Sequence, residues 1–235
     1  MTEAATADIA PRVRREPRVG SRDAADEGSR RALNILAALA GIILTAPLML
    51  VIALLIKATS PGPALYRQVR VGINRRRRRG ADERHVRQND RGGRLFVIYK
   101  FRTMYANPRE VQLWATADDP RVTPLGRIFR KFRIDELPQL FNVLRGDMNV
   151  VGPRPEQPDI FLNLRDQIDT YAWRQEVHPG ITGWAQINLP YDRDIADARR
   201  KLELDLDYIR RKSPVHDLAI MVKTLPVMLG RRGAL

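Results

Sequence analysis

Cysteine is absent from the 235-residue chain. That excludes a disulfide scaffold, a thiol nucleophile and thiolate metal sites, and it suits a body facing the reducing cytosol. Histidine is scarce: His85, His178 and His216 lie too far apart in sequence to read as a metal cluster, so each is expected at the surface or in packing. Aromatic residues make up 6% of the chain, and none is interleaved with its densest basic run, Arg75 to Gly93. This argues against nucleic-acid binding, in which bases stack on rings set among cations. Nor does the N-terminal stretch read as a secretory signal. The single long apolar run starts late, is longer than an h-region, and meets no small-residue cleavage site before Lys57.

What is present is positive charge, +14 at neutral pH, which suits an anionic partner: nucleic acid, acidic lipid or phosphorylated small molecules. The length allows one ordinary domain with appendages. Residues 1–30 have no apolar periodicity and read as a disordered, basic tail. Next comes ILAALAGIILTAPLMLVIALLI, Ile35 to Ile56. At 1.5 Å per residue it is about 33 Å long, enough to span a bilayer as a straight helix. Two features oppose a simple span. Pro47, near the middle, removes a backbone donor and crowds the carbonyl of Ile43, while Thr45 is placed to hydrogen-bond the freed groups. Both flanks are basic, with Arg30 and Arg31 before the run and Lys57, Arg67, Arg70 and Arg75 to Arg79 after it, so neither end is marked as outside. A single span and a hairpin that returns to the cytosolic face both fit these residues.

The rest reads as a soluble body. Ser60-Pro61-Gly62-Pro63 ends the membrane element. Ala64 to Val71 and Leu95 to Phe101 are expected as short strands, and the polar insertion between them (74–94) as a solvated loop or a patch on anionic lipid. At the far end DLAIMVKTLPVML, 217–229, is strongly apolar through Leu218, Ile220, Met221, Leu225, Val227, Met228 and Leu229. It is expected as an interfacial helix, with Lys223, Arg231 and Arg232 reaching head groups, or else as a helix closing the core.

The most informative stretch is RIFRKFRIDELPQLFNVLRGDMNVVGPRPE, Arg127 to Glu156. Here the adjacent carboxylates Asp135 and Glu136 are set among Arg127, Arg130, Lys131, Arg133, Arg145 and Arg154. A carboxylate nucleophile that must meet a phosphate needs such cations, because the phosphate charge has to be neutralised before another anion can approach. Asp135-Glu136-Leu137-Pro138 looks like a helix start capped by Asp135, followed by Leu137, Leu140, Phe141 and Leu144 at helical spacing. An isolated cap is the plainer reading of Asp135, but a helix start is also where phosphate binds.

Together IYKFRTM (98–104), DPRVTPLGRIFRKFRIDELPQLFNVLRGDMNVVGPRPE (119–156), PGITGWAQIN (179–188) and the tail KLELDLDYI…DLAIMVKTLPVML resemble the bacterial sugar transferases. These are the monotopic phosphoglycosyl transferases that begin exopolysaccharide, O-antigen or glycoprotein glycan assembly, and the likeness covers roughly Leu33 to Leu229. The resemblance implies an α+β, mainly helical fold: one re-entrant membrane helix-break-helix (31–57) and a small cytosolic catalytic domain with short strands (58–235). It also implies location at the bacterial inner membrane, with the catalytic domain on the cytosolic face. The implied reaction is ping-pong. Asp135 attacks the β-phosphate of a UDP-sugar, UMP leaves, and a polyprenyl phosphate such as undecaprenyl phosphate takes the phosphosugar from the aspartyl enzyme. Glu136 holds Mg²⁺ or positions the acceptor, and Lys100, Arg130 and Arg154 of Pro153-Arg154-Pro155 match positions near the phosphates. Arg145 enters on charge and nearness in sequence alone, and a surface salt bridge explains it equally well. A homo-oligomer is left open.

Some residues depart from the family pattern. The membrane break is Ala46-Pro47, where small members have Ser-Pro. After GWAQ the chain has Ile187-Asn188-Leu189-Pro190-Tyr191 in place of a Val-Asn-Gly-Arg turn, which weakens any transfer of sugar specificity. With no membrane domain ahead of the catalytic unit, the expectation is the minimal form. Two rival readings are a non-catalytic adaptor on anionic lipid, opposed by the intact acid pair, and a polytopic transferase, opposed by the single apolar segment.

Overall fold

A helix with apolar residues all round must bury one face and give the other to a non-aqueous surface. The first helix, α1 (Ser21–Thr59), buries one face and leaves the other exposed. The computed structural model describes residues 21–74, 92–105, 119–189 and 194–228. Along α1 a buried stripe runs through Arg30, Asn34 and Ala38 and resumes at Met49, Ile52 and Ile56, the spacing of one helix face. The opposite face is bare: Ile43 is 71% and Leu44 80% exposed, and Leu36, Leu50 and Leu54 join them. Among the described residues α1 alone is long and apolar enough to cross a membrane.

Two expectations change here. Ser21 to Arg30 are helical and belong to α1, not to a disordered tail; residues 1–20 lie outside the described residues. Nor does Pro47 interrupt the helix: it sits inside α1, since a proline withdraws a single ladder bond and the flanking turns keep theirs. Thr45 donates to the carbonyl of Gly41 at 2.7 Å, the ordinary back-bond of a helical threonine, and not to the freed carbonyl of Ile43.

The expected strands form. β1 (Leu65–Val71) pairs antiparallel with β2 (Leu95–Phe101), Leu65 opposite Phe101 and Val71 opposite Leu95; residues 75–91 of the insertion lie outside the described residues. Short helices α2 (Pro124–Lys131) and α3 (Gln139–Arg145) follow. The two strands that were not expected are three residues each: β3 (Asn149–Val151) and β4 (Gly180–Thr182), a parallel pair. The chains approach so closely here that a Cβ on Gly180 would come within 2.1 Å of the Gly152 nitrogen, and one on Gly152 within 2.4 Å of the His178 carbonyl. That contact explains the glycines of GPRP and PGITG. Helices α4 (Pro158–Gln167), α5 (Trp184–Asn188), α6 (Ile195–Arg211) and α7 (Pro214–Met228) complete the body.

α1 is built into this body on both sides of Pro47. Ala38 packs with Phe96, Ile98, Val143 and Met148, while Met49, Ile52 and Ile56 pack with Phe101 and Phe129. α7 divides its faces: Asp217, Ile220 and Val227 are buried, whereas Val215, Leu218, Val222 and Leu225 are exposed. It thus closes part of the core and still presents apolar surface.

One side chain holds α3 to β2. Asn142, fully buried, accepts from the Tyr99 amide at 3.1 Å and donates to the Val97 carbonyl at 2.7 Å, filling the edge of β2 that faces away from β1. Asn142→Ala leaves both backbone groups without these partners, so it should destabilise the protein by about 2 kcal/mol or more. Thermal unfolding in detergent should show the loss as a fall in Tm, and an unchanged Tm would contradict this role.

Candidate active site

The acid pair does not begin an α-helix. After α2, which Thr123 caps by accepting from the Gly126 amide at 2.9 Å, Arg133 takes a left-handed conformation (φ 53°, ψ 19°). This reverses the chain into a single 3₁₀ turn, Ile134–Glu136. α3 starts only at Gln139, with Pro138 in the cap position and no side-chain cap. Asp135 is therefore not an N-cap. The turn spends its first amides on backbone carbonyls, Glu136 N to Arg133 O and Leu137 N to Ile134 O, which frees both carboxylates for other work.

Both acids are buried, with 8% of Asp135 and 5% of Glu136 exposed, but their surroundings differ. One oxygen of Glu136 receives the Lys100 ammonium at 2.8 Å and the Arg154 guanidinium at 2.9 Å. Burial, the largest influence on Glu136, acts to raise its pKa; Arg154 and Lys100 outweigh it and hold the group below the ordinary carboxylate range. Asp135 has no hydrogen bond or ion pair to its carboxylate among the described residues. Burial pushes its pKa up to about 6, opposed by the Lys100 charge and reinforced by Glu136. Such a group is still roughly nine-tenths ionised at pH 7, so the pair divides into one carboxylate tied down and one anion with its lone pairs unengaged.

The structure thus brings together Lys100, Asp135, Glu136 and Arg154, with Arg130 within electrostatic reach of Asp135. Arg130 is held by its Nε on Thr103 Oγ1 at 2.9 Å. Arg145 stands apart: it is largely exposed, pairs with Asp147 at 3.4 Å and reaches the Tyr99 hydroxyl at 3.2 Å. Arg127 and Lys131 point to solvent. Among the described residues no three acids or histidines gather as a metal cluster. Two neighbouring carboxylates of which one is already neutralised fit Mg²⁺ only if the metal completes its shell with water and substrate phosphate oxygens, its usual habit.

Two supporting arginines were missed. Arg174 donates to the Arg154 carbonyl at 3.0 Å and pairs with Glu156 at 3.3 Å and Asp205 at 2.9 Å, and Arg70 donates to the Pro155 carbonyl at 3.0 Å. Together they clamp the loop that carries Arg154. A signal was available in α6: Asp205 lies between Leu202 and Tyr208 on the buried stripe, and an acid there needs a cation.

Folding raises the Asp135 pKa from 3.8 to about 6, so its charged form opposes folding. The penalty is absent at pH values below the unfolded pKa, grows through the interval and is full above about pH 6. Asp135→Asn should therefore raise stability at pH 8 by on the order of 2–3 kcal/mol, with the gain shrinking as pH falls towards 5. Tm measured at both pH values tests this, and a variant that is less stable at pH 8 would contradict it.

A family model for bacterial sugar transferases matches residues 25–231. The chain is 43% identical over 206 residues to a UDP-N-acetylgalactosamine-undecaprenyl-phosphate N-acetylgalactosaminephosphotransferase of Aeromonas hydrophila, covering 87% of this chain and 44% of that protein. It is 38% identical over 212 residues to an undecaprenyl-phosphate glucose phosphotransferase of Komagataeibacter xylinus, covering 87% and 36%. With a UDP-glucose:undecaprenyl-phosphate glucose-1-phosphate transferase of Caulobacter vibrioides it shares 42% identity over 207 residues, 85% and 69% of the two chains. The chain spans less than half the length of the first two of these relatives. A family match over most of the chain, centred on a buried and cation-held acid pair, places this protein in the bacterial sugar transferase family.

Proposed function

We propose that this protein is a phosphoglycosyl transferase that moves a sugar 1-phosphate from a UDP-sugar to a polyprenyl phosphate, with Asp135 as the nucleophile. The observation that carries this reading is the asymmetry of the acid pair: Glu136 is occupied by Lys100 and Arg154, and Asp135 is ionised and unengaged. In the first half-reaction an Asp135 oxygen bonds to the β-phosphorus, the bond from that phosphorus to the bridging oxygen breaks, and UMP leaves with the electron pair. In the second, a phosphate oxygen of the polyprenyl phosphate attacks the same phosphorus and the Asp135 carboxylate departs. Covalent capture lets two anionic substrates use one site in turn. Lys100, Arg130 and Arg154 receive the phosphate oxygens, and the free oxygen of Glu136 would hold Mg²⁺, which when bound neutralises diphosphate charge.

The site belongs at the cytosolic face of a bacterial inner membrane, with α1 continuous but bent at Pro47 so that it dips into the bilayer and does not cross. Support comes from packing: α1 is bonded to the body before its apolar run, through Arg31 and Asn34, and after it, where Arg102 donates to Ser60 O at 2.8 Å. A crossing helix would drag one of these polar contacts into hydrocarbon. The exposed apolar faces of α1 and α7 then meet lipid, with anionic head groups beside their basic ends. The relatives named above differ in their sugar, so the sugar is left to assay.

Membrane fractions given UDP-glucose, UDP-galactose and UDP-N-acetylhexosamines with undecaprenyl phosphate should release UMP from at least one. Asp135→Asn should lower that release by on the order of 10⁴-fold; an Asn variant that keeps more than a few per cent would retire the assignment. Wild-type kcat/KM should fall on the acid side with a pKa near 6. For the topology, single cysteines in place of Arg22 and Lys57 should both react only from the cytosolic side, and reaction of either from the periplasm would show a span.

A further inference from the structure

The third and fourth turns of α1 hold buried polar groups that the transfer reaction does not use. Arg30 and Asn34 are 2% and 0% exposed, and Asp217 and Tyr208, which meet Arg30, 0% and 1%. A basic pair ahead of an apolar run reads as a lipid-facing flank, yet Arg30 is turned inward. Its Nε donates to Asp217 at 2.8 Å and another guanidinium nitrogen donates to the Tyr208 hydroxyl at 2.6 Å. Burying a charged pair is expensive and pays little in stability, so the arrangement asks for another purpose.

That purpose is visible in where the neighbouring bonds go. Arg31 donates to the carbonyls of Val143 at 2.7 Å and Leu144 at 3.0 Å in the last turn of α3, where Val143 O also accepts the Gly146 amide. α3 begins three residues after Glu136. Asn34 accepts from the Val150 amide at 2.6 Å and donates to the Arg30 carbonyl at 2.6 Å. Val150 lies in β3, which runs through Val151 and Gly152 into Pro153-Arg154, and the Tyr208 hydroxyl stands 3.1 Å from the Val151 carbonyl. One turn of the membrane helix is therefore bonded to both arms of the site: the helix behind the acid pair and the strand ahead of Arg154. Those arms must meet within hydrogen-bond distance for Arg154 to hold Glu136.

We propose that Arg31 and Asn34, braced by Arg30, are positioning residues that make the geometry of the acid pair depend on the seating of α1. Catalytic competence is then coupled to correct docking of the membrane helix, and a body whose α1 is displaced folds with its acid pair out of register. The inference rests on the transferase reading above.

The test uses the full chain in nanodiscs containing anionic lipid, with Arg31→Met, Asn34→Leu, Arg31→Lys and, as a comparison, Lys57→Met at the exposed far end of α1. Activity is counted per protease-resistant molecule, so loss of folded protein does not enter. Arg31→Met and Asn34→Leu should lower kcat about tenfold or more while KM for the UDP-sugar changes less than about threefold. Arg31→Lys should recover part of the rate, and Lys57→Met should match wild type. Amide exchange should quicken in 134–137 and 152–156 of the Met and Leu variants, with the β1–β2 hairpin unchanged. The proposal is overturned if folded Arg31→Met keeps kcat within twofold and exchanges like wild type in those two segments, or if Lys57→Met loses as much, which would assign Arg31 to lipid. If the wild type releases no UMP from any donor, the transferase reading fails, and amide exchange still decides whether the turn of α1 orders the site.

Discussion

The contact on which the site depends is the one Glu136 oxygen shared by Lys100 and Arg154. Three pieces of chain meet there: β2 brings Lys100, the 3₁₀ turn brings the acids, and the loop after β3 brings Arg154. A buried carboxylate with two cations on one oxygen has its charge met. Its neighbour in sequence inherits the opposite condition. Asp135 sits in the same dry surroundings beside a negative charge and close to the same cations, without being bonded to them, and its anion is correspondingly high in energy. The division of roles between two adjacent acids follows from which of them the cations touch.

That contact is only as good as the supports behind it. Asn142 fixes α3 against β2, Arg174 and Arg70 grip the backbone around Arg154, and the parallel pairing of β3 and β4 sets the loop's origin. α1 supplies the remaining constraint, since its first turns bond to α3 and β3 while its apolar stripe fills two of the core clusters. The helix with the long apolar run is thus also bonded to the two elements that flank the site.

Much of this was legible in the sequence where a local rule governs. Short mixed runs marked β1 and β2, the apolar run marked α1, and the acid pair among arginines marked the candidate site, with Lys100 and Arg154 found through the family motifs. What was not legible depends on partners far away in the chain. Strands of three residues leave no periodicity to read, so β3 and β4 were invisible. Arg30 was read only as part of a basic flank, because nothing near it in sequence announces Asp217. The cap expected at Asp135 was wrong for a related reason: Arg133 adopts a left-handed conformation that turns the chain one step before the acids, and no rule of composition places an arginine there. Pro47 was read as a break, and the helix runs through it.

The central claim is that Asp135, and not Glu136, carries the phosphosugar. It is tested most directly by giving the purified protein a UDP-sugar donor without any polyprenyl phosphate, quenching, and mapping the adduct by peptide mass spectrometry. The account predicts a phosphosugar mass on the peptide containing Ile134 to Leu137, localised to Asp135 and removed when the lipid phosphate is added. An adduct on Glu136, or UMP release that begins only once the acceptor is present and leaves no adduct at all, would contradict it.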